Sequence, residues 1–218
     1  MKPLNKAELM KIFRAADLYA ITSEEHSLGR SNRDVVRQML AAGVTVIQYR
    51  EKNKPAREMY AECVALRDMT AQAKAIFIVN DRVDLAMAVE ADGVHIGQSD
   101  LPPLAVRKII GENKILGLST RSALQAQAAA AEGIADYIGV GAIYGTATKQ
   151  DASSPVGLDI VRFVAANVPL PFVAIGGIKT GNIAEVKQAG ASMFAIVTEI
   201  VSAPDISAAV STLRQQIV

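Results

Sequence analysis

Short, continuously apolar runs alternate with longer amphipathic ones along the whole chain. The apolar runs fall at 17–22 (DLYAIT), 44–50 (VTVIQYR), 75–80 (AIFIVN), 92–96 (DGVHI), 115–119 (ILGLS), 136–141 (DYIGVG), 171–176 (PFVAIG) and 193–198 (MFAIVT). Runs this short and this apolar suit parallel strands covered on both faces. Between them the pattern predicts helices over 31–42, 56–73, 82–90, 102–110, 121–132, 157–167, 182–189 and 204–217. Alanine-rich SALQAQAAAAEG has high helix propensity and stops at Gly133. Pro102-Pro103 and Pro204 sit where a first helical turn tolerates proline.

Eight successive strand–helix units read as an α/β fold, a (β/α)8 TIM barrel forming one domain over 1–218. A doubly wound open sheet is the alternative, but eight strands in one such sheet with no second domain is an uncommon arrangement. The segment before residue 17 is expected to be an extra N-terminal helix packed on the barrel's bottom or side. In such a barrel the residues just after each strand gather at one mouth, where the active site is built.

Composition narrows the function classes. The chain has 218 residues, half of them hydrophobic, and a formal net charge of +1. Enough apolar surface exists for a sizeable core, and bulk charge gives no reason to expect nucleic acid or an anionic membrane as partner. The one cysteine, Cys63, leaves no intrachain disulfide, and its helical setting makes it a buried small hydrophobe. Without a signal-peptide pattern or a membrane-length apolar run, a cytoplasmic location is expected.

The strand ends carry the candidate chemistry. After the second strand, QYREKNK sets Gln48, Arg50 and Lys52 on one side of an extended chain, alternating with Tyr49 and Glu51. Two cations beside an amide suit an oxygen-rich anion such as diphosphate; the plain alternative is a solvated charged loop. Asn80-Asp81 follows the third strand and Gly97-Gln98-Ser99-Asp100 the fourth. Asp81 and Asp100 could cap the helices that follow, or form two halves of a hard-oxygen Mg²⁺ site shared with phosphate. Asp84 reads as a helix surface residue. Only His26 and His95 exist, so a histidine-rich metal site is not indicated, and His95 is expected to pack or support within its strand. Ser119 and Thr120 bring hydroxyls to the mouth at the fifth strand. The long connection GAIYGTATKQDASSPVG offers Thr146, Thr148 and Lys149 as part of a lid. AIGGI and AIVTEI, at the last two strands, suit a phosphate held by backbone amides. An enzyme holding a monophosphate at one end and a diphosphate at the other could transfer the group attached to the diphosphate.

Taken in order, VIQYREK, VNDRVDLA, ADGVHIGQSDLP, LGLST, ADYIGVGAIYGTATK, PVGLD and AIGGI resemble the thiamine-phosphate synthase family over essentially the whole chain. The resemblance implies a transferase of thiamine biosynthesis that joins 4-amino-2-methyl-5-(diphosphooxymethyl)pyrimidine to 4-methyl-5-(2-phosphoethyl)thiazole, releasing diphosphate. It implies pyrimidine diphosphate contacts at Gln48, Tyr49, Arg50, Glu51, Lys52, Asn80, Ser119 and Lys149. It implies thiazole phosphate contacts at Thr146, Ala147, Thr148, Gly177, Val197 and Thr198, and Mg²⁺ at Asp81 and Asp100. Arg50, Lys52, Lys149 and Ser119 would then be the catalytic groups, and the molecule a homodimer. The chain departs from the family pattern at Ala142 and Gly145, where prolines are common, at Ala147, where threonine is common, and at Arg121, where histidine is common. Competing expectations are a thiazole tautomerase-like isomerase on the same barrel, a sugar-phosphate isomerase or epimerase, and a non-catalytic thiamine-phosphate binding protein.

Overall fold

The computed structural model describes residues 4–145 and 154–218. Helix α1 (Lys6–Ala15) comes first, started by a capping box in which Asn5 and Glu8 satisfy each other's backbone N–H groups. The strands are β1 (Leu18–Ile21), β2 (Val46–Tyr49), β3 (Ile76–Asn80), β4 (Gly93–Ile96), β5 (Ile115–Thr120), β6 (Tyr137–Val140), β7 (Phe172–Ile175) and β8 (Phe194–Ile196). Each pairs in parallel with the next, and β1 pairs with β8, so the sheet closes into a barrel. Around it run α2 (Asn32–Ala41), α3 (Ala56–Gln72), α4 (Val83–Ala88), α5 (Pro103–Ile110), α6 (Ala123–Glu132), α7 (Gly157–Asn167) and α8 (Ile183–Gln188). Helices α9 (Thr198–Val201) and α10 (Ile206–Gln215) end the chain.

Eight strands and the N-terminal helix stand where the apolar pattern puts them. The pattern does not reveal two short elements, a 3₁₀ turn at Glu24–His26 and helix α9. The run at 193–198 divides: Val197 turns out of the strand with φ −112° and ψ −92°, and Thr198 begins α9. Neither aspartate of the capping alternative caps a helix. The N-caps of α4 and α5 are Arg82 and Pro102, neither with a side-chain cap bond. Asp84 is exposed and paired with Arg82.

Inward and outward side chains form separate cores. Outward residues such as Ile47, Phe77, Val94 and Leu116 pack against the helices. Inward residues, among them Val46, Ile76, Ile78, Ile115 and Val173, meet Leu9 and Phe13 of α1. That helix therefore plugs the bottom, with the Phe13 ring 4.5 Å from Tyr137 and 6.4 Å from Tyr19. The plug leaves the lumen open only at the strands' C-terminal ends.

Aspartates at strand starts lock the plugged end. Asp136 accepts from Arg107 at 2.7 Å and from the Leu116 N–H at 2.8 Å, and pairs with Lys6 of α1 at 2.6 Å. Arg107, 7 % exposed, also donates to the carbonyls of Gly111, Lys114 and Ile134. Asp92 does the same for Arg67 and the Phe77 N–H, and Asp17 for Arg214 and the Leu18 N–H. Removing one partner of a buried ion pair strands the other. Arg107→Ala is therefore expected to lower unfolding free energy by about 3 kcal/mol, read from the urea midpoint. A loss below about 1 kcal/mol would reduce the knot to a surface ion pair.

Candidate functional site

A cavity of about 380 Å³ opens at the C-terminal end of the barrel. Its floor is made by inward residues of the strands: Tyr19, Gln48, His95, Ser119, Tyr137 and Gly139. Gln48 Nε2 donates to the Tyr19 hydroxyl at 2.8 Å, which lies 2.8 Å from the Tyr137 hydroxyl. His95 joins Tyr137 through Nδ1 and Ser119 through Nε2, both at 2.9 Å. Burial raises the hydroxyl pKa of both tyrosines above the ordinary value, so each remains a donor. Thr120, by contrast, faces outward and donates to the Gly139 carbonyl.

Above one side of this floor stand the charges. Arg50 and Asn80 line the cavity, and the Arg50 N–H donates to Thr22 Oγ1 at 2.9 Å, fixing the loop after β2 to the end of β1. Asp81, half-buried, has φ +60°, a left-handed conformation that Asp and Asn tolerate better than other side chains. Its N–H donates to the His95 carbonyl, which ties the third strand end to the fourth strand. Asp100 accepts from the Gly97 N–H at 2.7 Å, folding its loop back on itself. Burial, then the facing Asp100 carboxylate, push the Asp81 carboxyl above its usual range, while Lys52 at 4.0 Å and Arg50 pull it back. Among the described residues no three His, Cys, Asp or Glu side chains gather into a metal cluster. Two like charges held together fit a hard divalent cation that completes its shell with ligand oxygens.

The opposite side is built from backbone. Gly176, Gly177, Val197 and Thr198 line it, together with Lys179. Gly177 has φ +63°, and a Cβ there would lie 2.6 Å from the Gly145 carbonyl oxygen. Glu199 Oε1 accepts from the Thr180 N–H and hydroxyl, both at 2.9 Å, which binds the β7 and β8 loops into one wall.

Of the residues expected at the site, Gln48, Arg50, Asn80, Ser119, Gly177, Val197 and Thr198 line one cavity, with Lys52, Asp81 and Asp100 close to the Arg50 side. Two side chains face elsewhere. Tyr49 is fully buried against α3, where its hydroxyl donates to Glu62. Glu51 turns toward the Glu24 N–H and the Asn32 amide. Both follow from the two-residue period of an extended chain, because Gln48 and Arg50 already point inward. Thr146, Ala147, Thr148 and Lys149 lie outside the described residues. Cys63 is buried, as its helical setting leads one to expect, and burial with the nearby Glu62 carboxylate pushes its thiol up to about 12. His26, Tyr19, Tyr137 and Lys179 line the cavity although no strand-end signal marks them. Arg121, Ala142 and Gly145 also line it.

Comparison with known proteins points one way. The family model described as thiamine monophosphate synthase matches residues 18–200. Thiamine-phosphate synthase from Pelotomaculum thermopropionicum is 59% identical over 199 residues, 91% of each chain. The enzyme of the same name from Lawsonia intracellularis is 52% identical over 202 residues, 93% of each. Among solved structures, thiamine phosphate pyrophosphorylase from Pyrococcus furiosus superposes with a TM-score of 0.84 at 37% identity, covering 93% of this chain and 95% of that one.

The electrostatics of the rim give a test that needs no ligand. A carboxyl whose folded pKa is raised costs stability once ionised. The cost is present above the folded pKa and vanishes below the unfolded value near 3.8. Asp81→Asn, which keeps the left-handed backbone, should stabilise the metal-free protein by about 0.5–1 kcal/mol at neutral pH. Urea melts at stepped pH should show that gain shrinking as pH falls into the carboxylate range. A gain constant with pH would assign it to backbone preference instead of charge repulsion.

Proposed function

The chain belongs to the thiamine monophosphate synthase family of transferases, and on that premise we propose that it joins 4-amino-2-methyl-5-(diphosphooxymethyl)pyrimidine to 4-methyl-5-(2-phosphoethyl)thiazole, giving thiamine phosphate and diphosphate. The observation that carries this reading is the polarity of the cavity. Arg50, Lys52 and the Asp81–Asp100 pair stand at one side, and Gly176, Gly177 and the β8 end stand at the other. A diphosphate suits the first side and a monophosphate the second.

The chemistry is dissociative. The bond between the pyrimidine methylene and the diphosphate oxygen breaks first, its electron pair leaving with the diphosphate. The amino-substituted ring stabilises the resulting methylene cation, and the thiazole nitrogen lone pair then forms the new C–N bond. Asp81 and Asp100 would hold Mg²⁺, which when bound neutralises phosphate oxygens and lowers the cost of the departing charge. Arg50 and Lys52, joined by Lys149 from the segment after β6, bind and neutralise the same leaving group. Gln48, Asn80 and Ser119 orient the pyrimidine. Gly177, Val197 and Thr198, with Thr146 to Thr148, anchor the thiazole phosphate. No protein nucleophile is required.

The test is direct. Purified protein with both substrates and Mg²⁺ should release diphosphate and thiamine phosphate in equal amounts. Binding of both without product would leave a non-catalytic binding protein, and isomerised thiazole without diphosphate release would indicate the tautomerase-like chemistry. Asp100→Asn should lower turnover on the order of 100-fold while thiazole phosphate still binds by calorimetry. Unchanged turnover and metal dependence would remove Asp100 from the metal site. The family resemblance also carries the expectation of a homodimer, which sedimentation of the purified chain would test.

A further inference from the structure

The floor of the cavity is a single file of hydrogen-bonded side chains running Gln48, Tyr19, Tyr137, His95, Ser119, with successive separations of 2.8, 2.8, 2.9 and 2.9 Å. Its members come from β2, β1, β6, β4 and β5, so the file crosses the lumen instead of following one strand. Space has been left for it. A Cβ on Gly117 would lie 2.4 Å from His95 Nδ1 and 2.2 Å from Tyr137 Cζ. Tyr19 and Tyr137 are 2% and 1% exposed, which leaves their hydroxyl hydrogens little recourse to water.

The direction of the file follows from proton counting. The Gln48 amide nitrogen can only donate, so the Tyr19 oxygen accepts from it. Tyr19 has one hydrogen to give, and the acceptor it meets is the Tyr137 oxygen. Tyr137 in turn gives its hydrogen to His95 Nδ1, which must therefore present a lone pair. A neutral imidazole with a bare Nδ1 carries its hydrogen on Nε2, and that hydrogen goes to Ser119 Oγ. With the Gln48 amide nitrogen turned to Tyr19, the opposite order would bury a tyrosine hydrogen with no acceptor, a costly arrangement; it would need the amide turned to present its oxygen instead. Ser119 has then received its hydrogen bond inside the barrel, and its own hydrogen is left for whatever fills the cavity.

We propose that Tyr19 and Tyr137 are positioning residues that, through His95, commit the Ser119 hydroxyl to donating a hydrogen bond toward the ligand. The file thereby leaves the Ser119 hydrogen for an acceptor atom, a ring nitrogen or an oxygen, at that point of the ligand. Naming the ligand as the pyrimidine diphosphate rests on the function proposed above; the proton order in the protein does not.

Two measurements separate these layers. The chain has two histidines, so ¹⁵N-histidine-labelled protein gives two ring systems, assigned with His26→Gln. In the wild type, His95 should show a lone-pair nitrogen at Nδ1 and a protonated nitrogen at Nε2. Tyr137→Phe removes the donor to Nδ1 and should mix the tautomers or reverse them. Tyr19→Phe leaves Tyr137 still donating, so the His95 pattern should persist. In kinetics, Tyr137→Phe should raise KM for the pyrimidine diphosphate about tenfold and leave KM for the thiazole phosphate unchanged. In a Ser119→Ala background the same substitution should add almost nothing. A wild-type His95 protonated at Nδ1, a Tyr137→Phe spectrum identical to wild type, or an equal penalty with and without Ser119 would each overturn the proposal. If wild type makes no thiamine phosphate, the proposed function fails, while the spectra still decide the proton order.

Discussion

Pairing of β1 with β8, Leu18 against Phe194 and Ala20 against Ile196, closes the sheet and leaves inward side chains no edge at which to meet water. Each inward group must then be packed, hydrogen-bonded to another inward group, or offered to the open mouth. The plug of Leu9 and Phe13 removes the bottom as an escape. Polar inward side chains therefore collect toward the mouth. Val46, Ile76, Ile115 and Met193 pack in the lumen core, and Gln48, His95, Tyr137 and Ser119 line the cavity. Closure at the sheet and plugging at the base are what turn eight strand ends into one cavity.

That constraint also explains what the chain's pattern discloses. Strands covered on both faces give continuous apolar runs, which mark all eight positions clearly but do not say which residues face the lumen. Tyr19 and Tyr49 both sit in such runs, yet Tyr19 enters the cavity floor and Tyr49 bonds Glu62 on α3. Parity becomes readable only where polar residues interrupt the run, as at Gln48 and Arg50, and there the two-residue period places Tyr49 and Glu51 outside. Gln48, Arg50, Asn80 and Ser119 were legible because a polar residue at a strand end has few reasons to be there. Tyr19 and Tyr137 were not, because an amphipathic ring inside an apolar run looks the same whether it packs or bonds; His95 was read as packing or supporting, and it bonds Tyr137 and Ser119. Lys179 and His26 lie beyond strand ends, in turns whose path no periodicity sets.

The rim and the knots at the base use similar charges to opposite effect. At the base, Asp136 meets Arg107, Lys6 and a backbone N–H, so its charge is satisfied several times over. At the rim, Asp81 faces another carboxylate, and Lys52, the nearest cation among the described residues, stands 4.0 Å away. Left-handed φ at Asp81, like-charge crowding and burial all oppose folding locally. Such a site persists because the barrel beneath it is held by several independent ties, Arg67 to Asp92 and Arg214 to Asp17 among them.

The two walls of the cavity differ in how they recognise charge, and this bears on selectivity. Arg50 and Lys52 present side-chain charges that can follow an anion as it departs, whereas Gly176 and Gly177 sit in a wall fixed by Glu199 holding Thr180. A flexible, charge-rich wall suits the group whose bonding changes, and a rigid wall suits the group that stays attached. Between them, with His95 neutral as proposed, the Gln48-to-Ser119 file would carry no net charge and could orient a ring without competing for either proposed anion. In the reaction proposed above, orientation would fall to neutral bonds in the barrel and charge stabilisation to the loops. Substitutions in the file should act on how a ring is held, and substitutions at the rim on how fast charge can leave.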